Sequence, residues 1–123
     1  MSAKALRLVG WILTGLIAVF LLGLSASSKL VPRDGRAEMF EKSGFDLATM
    51  EKIAYVEITI TVLFLIPQTA FLAAVLLTGY LGGAVCTHVR THEPFFIPLV
   101  LGVLVWIALG LRQPSVFKAA LGK

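Results

Sequence analysis

Residues 47–88, LATMEKIAYVEITITVLFLIPQTAFLAAVLLTGYLGGAVCTH, decide the fold. Two apolar runs flank Pro67-Gln68, and each is close to the ~20 residues a helix needs to cross a hydrocarbon core of ~30 Å. Pro67-Gln68 leaves room only for a tight reversal, so the runs predict antiparallel neighbours over 47–66 and 69–88. Asp46 is the expected N-cap of the first of them.

Outward from this hairpin the pattern repeats. Upstream, Leu8–Leu24 continues through the small residues Ser25–Ser28 and follows Lys4 and Arg7, which predicts a span over 8–28. A basic start and a small-residue tail also resemble a signal peptide, but the run exceeds a usual h-region and its removal would leave three spans. Downstream, Phe95–Leu111 predicts a fourth span over 95–111. Pro94 and Pro98 fall at its start, where a missing N–H costs least. Between the first two spans lies the longest polar stretch, 29–46. Pro32 and Asp34-Gly35 interrupt regular structure there, Arg36–Lys42 suits a short interfacial helix, and Ser43-Gly44 ends it. The expected fold is all-α, a single integral membrane four-helix bundle over residues 1–123.

Composition points the same way. Of 123 residues, 58% are apolar and 15% charged, and the mean hydropathy is +0.90. A soluble domain of this size could not hide so much apolar surface, so the partner is the lipid bilayer. The net charge of +4 comes from Lys and Arg scattered over loops and termini, without the basic stripe a nucleic-acid partner requires. A lone Cys86 excludes an intramolecular disulfide and a CxxC pair. His88 and His92 cannot supply opposite axial ligands to one haem from one turn, and Pro94 interrupts a metal set of His88, His92 and Glu93, so no metal site is read. With no GxGxxG and no P-loop, no cofactor is expected within the chain. Lys and Arg divide five to six between the two membrane faces. Cytoplasmic termini are expected only because an uncleaved first span tends to follow its own basic flank.

Alternating directions bring the polar residues to one face: Ser25, Ser28 and Lys29 from the first span, Glu57 from the second, Thr87, His88 and Arg90 from the third, His92 and Glu93 from the return loop. The opposite face is expected to offer only Gln68, Thr69 and the termini. Glu57 falls about 15 Å into its helix at ~1.5 Å per residue, so it should be protonated, paired or turned to a wet cavity. His88 is its natural partner. Glu57 and His88 form the candidate catalytic pair for moving a proton or holding a carbonyl, with a structural hydrogen bond as the plain alternative. Ser28, Lys29, Thr87, Arg90, His92 and Glu93 are the candidate ligand-binding rim, and the basic residues also suit anionic headgroups. Gly79 and Gly83 make a small-xxx-small pair expected to admit a neighbouring helix, from the same chain or from a second copy in a homo-oligomer.

Ser27-Ser28-Lys29-Leu30, Glu57, Gly83-Ala84-Val85-Cys86-Thr87-His88, Glu93-Pro94-Phe95-Phe96-Ile97-Pro98 and the run Leu99–Val105 together resemble the DoxX-like family. The resemblance implies a multi-pass four-helix protein of the bacterial inner membrane, in a family named after a small subunit of a thiosulfate:quinone oxidoreductase. It implies an auxiliary or quinone-facing subunit of a membrane redox system, with quinone as ligand and a soluble or membrane redox partner supplying the electron-transfer group. No catalytic motif transfers with it, and the single Cys86 speaks against a persulfide relay within the chain. The alternatives are a binder or isomerase of a small lipophilic molecule using the Glu57/His88 pair, and a structural membrane protein without catalysis.

Overall fold

Ser2 accepts a hydrogen bond from the Ala5 N–H at 3.1 Å and so starts the first helix, ahead of the expected Leu8. The computed structural model describes residues 1–123 and is entirely helical. Helix α1 spans Ala3–Leu30 and contains a π-helical segment at Phe20–Ala26; α2 is the short helix Arg36–Lys42. Helices α3, Leu47–Leu65, and α4, Ala70–Arg90, flank the reversal at Pro67-Gln68; α5 is Phe96–Arg112 and α6 the short Ser115–Ala120. Two of these, α1 and α4, are long and apolar enough to cross a membrane. Only 28% of the most apolar stretch of each is buried, so most of its apolar surface faces outward.

Packing follows residue size. α1 lies along α5, α5 along α4, α4 along α3, and α3 returns to the π-helical part of α1. Ala70, Ala73 and Ala74 bring α4 close to its neighbours, while Phe64, Leu21, Leu77 and Leu109 fill the space between helices. Outward the helices are equally apolar: Leu8, Ile12 and Leu16 on α1, Val56 and Val62 on α3, Phe71 and Leu72 on α4, Leu99 and Val103 on α5 are exposed. Side chains outside are thus no more polar than those within. Against lipid, helix association then rests on close contact and hydrogen bonding more than on water exclusion.

Between the long helices, the closest approach at a glycine is at Gly10, buried on α1. A Cβ there would fall 2.8 Å from Leu111 Cβ and 2.9 Å from the Arg112 backbone nitrogen. Gly79 and Gly83, the expected packing glycines, have nothing within 4 Å of the corresponding position. Within the chain, therefore, neither glycine admits a neighbouring helix. Their missing side chains leave open space, because α4 turns this stripe away from the neighbours that its alanines contact.

The end of α4 also departs from a continuous helix through His92. His92 takes a positive φ of 60°, its N–H bonds the Val89 carbonyl at 3.3 Å, and the Glu93 N–H bonds the His88 carbonyl at 2.9 Å. This is a Schellman stop with histidine where glycine is usual. His88 and His92 therefore do not share a helical face.

At the start of α3, Asp46 accepts from the Thr49 N–H at 2.8 Å, and hydrogen bonding to Thr49 holds its carboxyl below the usual carboxylate range. A carboxyl depressed in the folded state contributes stability that is fully present above the ordinary Asp value of about 3.9 and is lost as pH falls through the lower folded value. Amide exchange at Thr49 and Met50 is expected to accelerate in that acid window in the wild type and to be insensitive to it in Asp46→Asn, a cap that does not titrate.

Candidate functional site

Four residues converge where α1, α3 and α4 meet. Glu57 on α3 is fully buried, with none of its surface exposed. Lys29 Nζ, at the end of α1, donates to Glu57 Oε1 at 3.0 Å, and Tyr80 Oη on α4 donates to the same oxygen at 2.9 Å. Lys29 Nζ also donates to the Ser25 carbonyl at 3.2 Å and to Ser25 Oγ at 2.8 Å, which uses all three ammonium hydrogens. Ser25 lies inside the π-helical segment, a feature that often marks functional stretches of helices. Glu57 Oε2 has no hydrogen-bond partner. A carboxyl buried at this depth is tolerable where a cation and a phenol converge on it.

Beside this centre is a cavity of about 760 Å³. Tyr80, Lys29 and Ser25 form its polar wall; Phe20, Leu21, Leu24, Met50, Ile53, Leu81, Ile97 and Leu101 form its apolar walls; Gly79, Gly83 and Ala84 leave it wide. His88, Arg90, Thr87 and Cys86 line it towards the end of α4, with Ser43 and Phe45 from the loop before α3. That volume is ordinary for a small-molecule site.

The expected Glu57/His88 pair is not formed. Glu57 is taken by Lys29 and Tyr80, whereas His88 Nδ1 meets the Ala84 carbonyl at 2.7 Å on its own helix and Nε2 lies 4.0 Å from Glu93. Lys29 and Tyr80 reach Glu57 first, and back-bonding along α4 holds the imidazole away. Of the expected rim, Lys29, Thr87 and Arg90 line the cavity with His88; Ser28, His92 and Glu93 stand outside its wall. Ser28 Oγ donates to the Ser25 carbonyl and Thr87 Oγ1 to the Gly83 carbonyl, the usual satisfaction of a hydroxyl within a helix. Above the centre, Arg36 Nη1 donates to the Lys29 carbonyl at 2.9 Å and ties α2 to the end of α1.

Tyr80 is not among the residues that the sequence singles out. The available signal was spacing: Tyr80 follows Gly79 in the middle of an apolar run, a phenol where only a buried partner would retain one.

A second polar centre lies at the opposite end, which was expected to hold nothing beyond Gln68, Thr69 and the termini. Arg112 in the last turn of α5 is buried, 6% exposed, and its Nη1 donates to the Phe64 carbonyl at 3.0 Å and to Thr14 Oγ1 at 3.3 Å. The guanidinium carbon sits 3.9 Å from the centroid of the Trp11 ring. The Phe64 carbonyl belongs to the last turn of α3, where carbonyls lack helical partners and a cation is favoured. In the sequence Arg112 looks like a flanking charge; only the approach of α1 buries it.

An apolar helical protein with charges gathered at internal centres and a cavity between its helices belongs among membrane proteins. Residues 12–109 match the DoxX-like family, and the chain belongs to that family. No curated protein and no solved structure matches it.

Proposed function

We propose that this is a multi-pass protein of the bacterial inner membrane whose four long helices span the bilayer as one bundle and bind a small lipophilic molecule between them. The observation that carries the reading is the 760 Å³ cavity with apolar walls, backed by the buried Lys29–Glu57–Tyr80 centre. Binding lipophiles needs little more: a dry volume reached from the bilayer and a few fixed polar groups for orientation. Cytoplasmic termini rest on the basic flank of the first span, Lys4 and Arg7, because the Lys and Arg of the chain divide five to six between the two faces and do not decide the orientation.

A quinone is the less well matched occupant, and the quinone-facing redox subunit with its partner is the weaker reading. At the buried centre a quinone carbonyl would find no donor, because the hydrogens of Lys29 and Tyr80 are directed to Ser25 and Glu57; only Arg90, at the far end of the cavity, keeps donors free. Proton-shuttling isomerisation is weakened too, because His88 does not face Glu57.

Gly83→Leu tests the proposal. The new side chain meets no atom within 4 Å at its Cβ and projects where the cavity is open. Helix propensity alone favours leucine over glycine by up to ~1 kcal/mol, so the variant should fold at least as well. Native mass spectrometry of gently extracted wild type is expected to show a bound lipophile that Gly83→Leu has lost. Equal occupancy in both proteins, or none in the wild type, would sink the reading.

A further inference from the structure

The cavity is closed at one side by the ion pair and open at the other to a cation that nothing neutralises. We propose that its ligand is a single-chain amphiphile with an anionic head, a carboxylate or a phosphate monoester, held by Arg90 with the chain on the apolar walls; this deepens the lipophile-binding reading and rests on it. No aspartate or glutamate lines the cavity. Lys29 is balanced by Glu57 at 3.0 Å, and Glu93 sits outside, 4.0 Å from His88 Nε2. Arg90 has no carboxylate within ion-pair distance.

The guanidinium is also positioned. Arg90 Nη2 donates to the Ser43 carbonyl at 2.9 Å, across 47 residues of sequence. Gly44 closes over it: a Cβ there would lie 3.4 Å from Nη2, and the φ of +86° at Gly44 resists any other residue. One N–H is thus spent on anchoring, and the remaining donors of this exposed guanidinium, which lines the cavity, are free to meet a ligand. A planar guanidinium suits carboxylate and phosphate oxygens, which accept two parallel hydrogen bonds from it. Behind this head position, Phe20, Leu24, Ile53 and Leu101 offer only apolar contact to a chain. A neutral lipophile would use those walls and leave Arg90 idle; a cationic one would meet Arg90 unfavourably.

The test uses the full chain in nanodiscs of zwitterionic phosphatidylcholine, titrated with dodecanoate, dodecyl phosphate and dodecanol, with empty nanodiscs subtracted. Wild type is expected to bind at least one of the two anions about tenfold or more tightly than dodecanol, the scale of a charge-assisted hydrogen bond. Which anion it prefers names the head. In Arg90→Gln that preference should collapse while dodecanol binding stays unchanged, and Gly83→Leu should abolish binding of all three. Anions binding no better than dodecanol to the wild type, or an undiminished preference in Arg90→Gln, overturns the anionic head and leaves the cavity reading standing. No protein-dependent binding of any probe, or equal binding by Gly83→Leu, overturns both.

Discussion

Replacing Lys29 by methionine is expected to destabilise the protein by about 3–5 kcal/mol, and most of that loss is expected to return when Glu57 is replaced by leucine in the same chain. The single change leaves a fully buried carboxylate with one phenolic donor and no cation. Taking one partner from a buried pair exposes the whole desolvation cost of the other, whereas replacing both with apolar groups of similar size is often neutral or stabilising. Glu57→Gln should fall between these, because its amide oxygen still accepts from Lys29 and Tyr80 but no longer balances the charge. Reversible unfolding in mixed micelles checks the series. Equal losses in Lys29→Met and the double variant would show that Glu57 is neutral in the folded protein, and that hydrogen bonding, not charge, holds the centre.

The double variant also separates stability from binding. Lys29 contributes to the polar wall of the cavity and Glu57 stands behind it. A protein that regains its stability without the pair and still binds the dodecyl probes would make the centre a structural clamp joining α1, α3 and α4; one that folds but binds nothing would place it in ligand recognition.

How much of this is legible in the sequence depends on the range over which each feature is set. Helix positions are local: about twenty apolar residues, a cap such as Asp46 and a break such as Pro67 mark them without knowledge of neighbours. The depth of Glu57 is local as well. Its partner is not, because Lys29 at the end of α1, Tyr80 midway along α4 and His88 near the end of α4 are all candidates by position, and only helix rotation chooses among them. The π-helical segment at Phe20–Ala26 contributes to that choice and leaves no clear signature in FLLGLSA. Arg112 shows the same limit from the other side: its chemistry looks like that of any flanking arginine until Trp11 and Thr14 cover it. The Gly79/Gly83 spacing states that a helix can be approached closely, but not whether a helix or a void occupies the space.

Gly10→Ala is expected to cost about 1–3 kcal/mol, the scale of forcing a methyl into a packed contact, while Gly79→Ala on α4 is expected to cost nothing. The added carbon at Gly10 would meet Leu111 Cβ at 2.8 Å, the Arg112 nitrogen at 2.9 Å and the Ala108 carbonyl at 3.0 Å. Two of the three contacts are backbone, so relief requires α1 and α5 to part. Parting them acts on the second polar centre. Thr14 Oγ1 donates to the Gly10 carbonyl at 2.8 Å and accepts from Arg112, while Trp11, one residue on, covers the guanidinium. Arg112 has Nε and Nη2 already unpartnered, so it has little to lose before its charge is exposed to the apolar phase. At Gly79 the same methyl enters open space, and the gain in helix propensity is up to ~1 kcal/mol. Thermal unfolding of both variants beside the wild type measures the contrast. If Gly79→Ala proved the more damaging, α4 would be packing there against a second copy of the chain, and the cavity wall would instead be an interface between protomers.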